Sequence, residues 1–98
     1  MLFRSQMFQG ATNFNQNIGD LNVSSIQYMN YMFANCHIFN GNIGDWTVSN
    51  VLEMSGMFIN AFDFNQDISK WNVSSVYEMS YMFQGSTSFD QKIGRAHV

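Results

Sequence analysis

A Met-Phe pair recurs every 25 residues along this chain, at positions 7–8, 32–33, 57–58 and 82–83. Other apolar positions keep the same spacing without insertion or deletion. They form columns of Phe (Phe14, Phe39, Phe64, Phe89), Ile (Ile18, Ile43, Ile68, Ile93) and Val (Val23, Val48, Val73, Val98). Periods of 20–50 residues are typical of proteins built from stacked repeats. The sequence therefore predicts one domain, residues 1–98, that is a solenoid of about four repeats.

Each unit contains a stretch with helical spacing. In the second unit, Ile26, Met29, Met32 and Phe33 are spaced so that they would share one face of a helix, which predicts a helix over residues 25–34. A residue in the left-handed conformation often ends a helix. We expect such residues just after each helix, at Asn35, Asn60 and Gly85.

A second stretch has the alternation of a strand with one buried face. Trp46 and Val48 alternate with the polar residues Asp45 and Thr47. From Ile43 to Val51, the apolar spacing is that of leucine-rich repeats. The predicted fold class is an α/β repeat solenoid, with short parallel strands on one side and short helices on the other.

The residues from Trp71 to Gly85 resemble the repeat unit of bacterial BspA-like leucine-rich-repeat surface proteins, and those from Ser88 to Gly94 resemble the rest of that unit. The same unit occurs in repeat-containing bacterial surface lipoproteins. The resemblance covers essentially the whole chain. It implies a surface-exposed or secreted protein that binds host or matrix components or takes part in adhesion, and it does not imply an enzyme.

Polar residues that point away from the predicted strands form a grid, which we predict to bind a protein or glycan partner. The grid consists of Asp20, Asn22, Ser24, Asp45, Thr47, Ser49, Lys70, Asn72 and Ser74, with Arg95 and His97 continuing two of its columns. Asp45 and Lys70 are expected to form an ion pair between neighbouring units. The alternative is a solvated face on a purely structural spacer.

A column of Asn15, Asn40 and Asn65, continued by Asp90, allows two interpretations. It is either an oxygen-rich calcium site or a ladder of side chains that satisfy backbone groups in turns. We favour the ladder, because calcium sites usually draw on several neighbouring carboxylates.

Three further groups have ordinary structural explanations. The methionine columns suggest core packing more than soft-metal binding. Cys36 and His37 are adjacent but occur in one unit only, without the partners that a metal or nucleophilic site needs. Tyrosines are expected to project from the helical edge beside Glu53 and Glu78 and to anchor an interface or shield the helices: Tyr28, Tyr31, Tyr77 and Tyr81. No catalytic set, cofactor site or metal site is predicted.

Charge and hydropathy narrow the classes of partner. The formal net charge is −3, and the four basic residues are scattered, so a nucleic-acid partner is not expected. The chain contains no apolar run long enough to span a membrane and no signal peptide. Neither end shows a polar cap, so we expect either a fragment of a longer array or a chain whose copies associate end to end.

Overall fold

Backbone hydrogen bonds tie each 25-residue unit to the next. The computed structural model describes residues 5–92, and in it alternate N–H groups of one unit donate to carbonyls 24 residues further on. Met29 and Met54 donate in this way to Glu53 and Glu78 at 2.9 Å. The bonds of the second unit run from Tyr31, Phe33 and Asn35 to Ser55, Met57 and Ile59, at 2.7–2.9 Å. The first and third units make the equivalent bonds, from Gln6, Phe8 and Gly10 to Asn30, Met32 and Ala34, and from Gly56, Phe58 and Asn60 to Ser80, Met82 and Gln84. Consecutive units therefore lie in register.

The predicted helix is absent, and residues 5–92 contain no helix at all. A helix would direct each N–H to a carbonyl four residues earlier in its own unit. Here every second N–H donates to the next unit. The intervening N–H groups, those of Met32, Ala34 and Cys36, donate to carbonyls three residues earlier, at N···O distances of 3.0–3.3 Å. Tyr31 and Asn35 have φ angles of 57° and 61°, which a right-handed helix cannot accommodate.

The predicted strand is also absent from its expected place. Trp46 and Val48 are buried while Asp45 and Thr47 are exposed, as predicted, but the Trp46 N–H closes a turn onto the Ile43 carbonyl at 3.2 Å. Parallel pairing between described residues occurs instead inside the expected helical segment. It takes the form of isolated bridges that join Tyr28 to Glu53 and Glu53 to Glu78. The α/β solenoid of helices and parallel strands is therefore wrong as a description of this fold, which is a compact stack of turns.

Two columns of stacked phenylalanine rings fill the interior. Within the second unit, Phe33 and Phe39 stack with ring centroids 4.4 Å apart, and Phe33 continues to Phe58 of the next unit at 5.6 Å. Phe39 likewise stacks on Phe64 at 6.0 Å, with the planes 5° apart. Offset stacking of this kind is a favourable arrangement of aromatic rings. The middle units bury these rings completely, which explains why phenylalanine recurs in phase.

The buried tryptophans add a further link between units. The indole Nε1–H of Trp46 donates to the carbonyl of Ile18 at 3.0 Å, and that of Trp71 donates to Ile43 at 2.9 Å. Because both indoles lie in the interior, an unpaired N–H there would be costly, and the neighbouring unit supplies the acceptor.

The molecule is flattened, with extents of 31 × 30 × 19 Å along its three principal axes. The radius of gyration is 11.9 Å. Columns that were predicted for residues 93–98, among them Ile93 and Val98, lie outside the described residues.

Candidate functional site

The polar grid predicted from the sequence lies together on one side of the stack, although not on a sheet. Its members are exposed or partly exposed, and they follow the buried Trp46–Val48 column and its equivalents in register. Arg95 and His97, the continuation of two columns, lie outside the described residues. We call the nine described members, from Asp20 to Ser74, the polar face.

Part of the polar face surrounds an open depression with a volume of about 250 Å³. Five of the predicted residues line it: Asp45, Thr47, Ser49, Lys70 and Asn72. The lining also includes Gly44, Trp46 and Val48, while Asp20, Asn22, Ser24 and Ser74 lie outside it. The third unit thus supplies one side of the depression and the second unit the other.

The ion pair predicted between neighbouring units is present. Lys70 Nζ lies 3.8 Å from Asp45 Oδ1, and both side chains are about four-fifths exposed. Solvent screens such a pair, so it contributes little to stability. Its consequence is local, since it places a positive and a negative group side by side at the edge of the depression.

Short turns fix the direction of the asparagines. Asn72 Oδ1 accepts a hydrogen bond from the Ser74 N–H at 3.1 Å, and Asn22 Oδ1 accepts from the N–H and hydroxyl of Ser24 at 3.0 and 2.7 Å. These are Asx turns, in which the side chain takes the place of a backbone acceptor. Their amide NH₂ groups remain as donors for a partner.

The chemistry of the polar face suits binding. It combines one cation, carboxylates, hydroxyls and amides, which together donate and accept hydrogen bonds without a dominant charge. Among residues 5–92, no group of three or more His, Cys, Asp or Glu side chains is placed to hold a metal ion. The arrangement fits a neutral polar partner better than a polyanion.

The asparagine column is a ladder between units, as favoured from the sequence. Asn15 Oδ1 accepts the Asn40 N–H at 3.1 Å, Asn40 Oδ1 accepts the Asn65 N–H at 2.9 Å, and Asn65 Oδ1 accepts the Asp90 N–H at 2.9 Å. Each side-chain oxygen thereby satisfies a backbone group of the next unit. The oxygen atoms that a calcium ion would need are engaged in holding the stack together.

The methionine columns and Cys36 belong to the interior. Met29, Met32, Met54 and Met57 have no exposed surface, which confirms their predicted role in core packing. The Cys36 thiol is buried and donates to the Phe8 carbonyl at 3.0 Å. Burial raises its pKa from 9.0 to about 11, which is the opposite of what a reactive nucleophile requires. His37 stacks on Phe62 with ring centroids 4.5 Å apart.

The tyrosines form a second exposed group, without the helix from which they were expected to project. Tyr28, Tyr77 and Tyr81 are 44 %, 68 % and 67 % exposed. Tyr31 is partly buried, and its ring lies over Gly56 of the next unit. Tyr31, the least exposed of the four tyrosines, therefore has a packing role.

The walls of the depression were not predicted from the sequence. Gly44 borders it, and the Asp67 carbonyl of the next unit passes so close to Gly44 that a Cβ atom at this position would overlap it. The recurrence of glycine at 19, 44 and 94 is the signal that could have indicated this close approach. Trp46 and Val48 were assigned to the interior alone, although their edges also line the depression.

Comparisons with known proteins bear on the family. The described part of the chain has no helix long and apolar enough to cross a membrane. Searches of curated proteins and of solved structures gave no match. The family model described as "Mycoplasma protein of unknown function, DUF285" matches residues 4–96, nearly the whole chain. The resemblance to BspA-like proteins stays a prediction, whereas the match over residues 4–96 shows that the chain belongs to the DUF285 family.

Proposed function

We propose that this chain is a non-catalytic interaction module of a surface or secreted protein, and that it binds a protein or glycan partner through the polar face. One observation carries the proposal. Two of the outward positions that line the depression differ between the second and third units, over buried positions that are the same in both. Asp45 corresponds to Lys70 and Thr47 to Asn72, whereas Ser49 corresponds to Ser74. The buried Trp and Val positions are identical in these two units.

Rigidity of the scaffold supports binding. Immobilising flexible side chains and loops on association lowers affinity. The backbone beneath the polar face is held by the indole bonds of Trp46 and Trp71, and Asx turns direct Asn22 and Asn72. A partner would therefore meet polar groups that are already oriented.

The chemistry of the partner follows from the lining of the depression. Hydroxyl and amide groups at Thr47, Ser49 and Asn72 can exchange hydrogen bonds with the hydroxyls of a sugar or with the backbone of a peptide. The neighbouring Asp45 and Lys70 offer one charge of each sign. A role in adhesion, as in the BspA-like proteins that the sequence resembles, is the finer form of this proposal.

A structural spacer is the second candidate. The asparagine ladder and the phenylalanine columns account for most of the repeated residues without any ligand. In that case the protein would hold another domain at a distance, and the polar face would only be solvated.

Binding assays on the purified chain separate these candidates. A glycan array and a panel of immobilised extracellular-matrix proteins serve as probes, and each ligand found is titrated against a triple variant, Asp45→Lys, Lys70→Asp and Asn72→Ala. We expect at least a tenfold loss of affinity, with no loss in the control variant Asp63→Lys, whose exposed side chain lies outside the polar face. Unchanged affinity of the triple variant for every ligand would show the site to be wrong. Absence of binding to all probes would favour the spacer.

A further inference from the structure

The fourth unit presents backbone donors that the other units use for stacking. The N–H groups of Gly56, Phe58 and Asn60 donate to the fourth unit at 2.8–2.9 Å. The equivalent N–H groups of the fourth unit belong to Tyr81, Phe83 and Gly85, and among residues 5–92 they have no acceptor. Within the described residues, this end of the stack therefore carries a row of unpaired donors in the geometry that joins units elsewhere.

The first unit presents the matching acceptors at the opposite end. In the second unit, the carbonyls of Asn30, Met32 and Ala34 accept hydrogen bonds from the first unit at 2.8–3.1 Å. Their equivalents in the first unit are the carbonyls of Ser5, Met7 and Gln9, which accept none from residues 5–92. The two ends are thus complementary and differ from each other.

We propose that a second copy of this chain docks on the fourth unit through its first unit, in the register that joins units within one chain. Within one chain, a donor bonds to the carbonyl 24 positions later. Because four periods span 100 positions, the position that would follow Tyr81 by 24 corresponds to Ser5 of the next copy. Tyr81, Phe83 and Gly85 of one copy therefore donate to the carbonyls of Ser5, Met7 and Gln9 of the next. The inference is independent of the polar face, which lies on the side of the stack.

Side chains at the two ends continue the same columns. Asp90 closes the asparagine column, and its carboxylate is placed to accept the Asn15 N–H of the next copy, as Asn65 Oδ1 accepts from Asp90. Phe89 and Phe14 are only partly buried, whereas Phe39 and Phe64 of the same column are fully buried. Docking would stack Phe14 on Phe89 and cover both rings.

This contact joins unlike surfaces and does not close. A head-to-tail contact leaves one free donor end and one free acceptor end in every assembly, so copies add in a row. Unpaired edges with exposed apolar groups are the usual starting points for such association. A closed two-fold dimer would need each end to match itself, and a row of donors cannot pair with a row of donors.

Two variants, each blocked at one end, test the proposal by sedimentation velocity. Phe89→Lys places a charge on the fourth unit, and Phe14→Lys places the same charge on the first. Wild type is expected to grow above 11.3 kDa with increasing concentration, and each variant alone is expected to remain at 11.3 kDa. Their mixture should form dimers of twice that mass and nothing larger. The Phe14→Lys variant keeps an intact fourth unit and the Phe89→Lys variant keeps an intact first unit, so only one contact can form between them.

Controls separate docking from folding. Asp63→Lys adds a similar charge at an exposed lateral position and should associate like wild type. If unfolding curves show that a Phe variant has not folded, Gln16→Glu and Asp90→Lys replace Phe14→Lys and Phe89→Lys, since both of these side chains are exposed. Each of these variants alone should remain at 11.3 kDa. Their mixture should grow beyond the dimer, because the two introduced charges have opposite sign and face each other across the contact. The proposal is overturned if wild type stays at 11.3 kDa at millimolar concentration, or if either variant alone forms dimers.

Discussion

Replacement of Gly56 by alanine distinguishes the turn path of the backbone from a helix. By turn path we mean the successive turns that the structure has in the segment of each unit for which the sequence predicts a helix. Gly56 has a φ angle of 61°, and it corresponds to Tyr31 and Tyr81 in the neighbouring units. A Cβ atom at Gly56 would overlap the Tyr31 ring and approach Ile59 Cδ1 to 2.8 Å. In a helix, by contrast, alanine is the most favourable residue and glycine one of the least.

The two descriptions predict effects of opposite sign. In a helix, the Gly→Ala change would stabilise the protein by about 0.5–1 kcal/mol. At positive φ, the alanine side chain costs about 1–2 kcal/mol, and the overlap with Tyr31 adds to this unless the ring moves. We therefore expect Gly56→Ala to lower the free energy of unfolding by about 1–2 kcal/mol. Domains of this size are typically stable by about 5–15 kcal/mol, so the variant should still fold.

Urea unfolding followed by tryptophan fluorescence measures the change, because Trp46 and Trp71 are buried in the native state. Gly10→Ala is a matched control, since Gly10 has a φ angle of 78° but a Cβ atom there would have no neighbour within 4 Å. It should show the backbone cost alone, about 1 kcal/mol. Adding Tyr31→Ala to Gly56→Ala should recover the part due to the overlap. A more stable Gly56→Ala variant would refute the turn path.

Three further predictions concern the columns inside the stack. Phe58→Ala should cost about 3–5 kcal/mol in urea unfolding, because both neighbouring units pack on this ring, and Phe89→Ala roughly half as much. Asn40→Ala should cost about 0.5–1.5 kcal/mol in the same assay, and Asn40→Asp should cost less because it keeps an acceptor for the Asn65 N–H. At pH 8, the buried Cys36 thiol should react with a disulfide reagent only after unfolding. Its native pKa of about 11 also predicts that stability falls as pH rises from about 9 to 11, since the unfolded thiol ionises first.

The repeat and its inward columns could be predicted because each column has one physical task in every unit. Phe39 and Phe64 are buried as the spacing required, and the asparagine column bonds from unit to unit as favoured. Asn35, Asn60 and Gly85 have the positive φ angles that their position suggested. These features depend on side-chain identity and period, which a single sequence displays directly.

The local path of the chain could not be predicted, because two structures share the same spacing. Apolar residues three apart lie on one face of a helix, but they also stand at the two ends of a turn closed by a bond three residues back. Ile26 and Val23, like Met32 and Met29, are joined by such turns. The deciding feature is the positive φ of Tyr31 and Tyr81, and tyrosine gives no sign of it.

The candidate site was predicted only in part. Alternation of buried and exposed residues correctly placed Asp45 and Thr47 outside and indicated the contact between Asp45 and Lys70. The depression itself is lined by residues of two neighbouring units, so it depends on how those units stack, which a single sequence does not display.

Hydrogen bonds between units are the central claim of this account, and NMR can observe them directly. Scalar couplings across hydrogen bonds connect an amide nitrogen to the carbonyl carbon of its acceptor. For an isotope-labelled sample, we predict couplings from Tyr31, Phe33 and Asn35 to carbonyls 24 residues later, at Ser55, Met57 and Ile59. Couplings from these amides to carbonyls four residues earlier would show a helix and contradict the account.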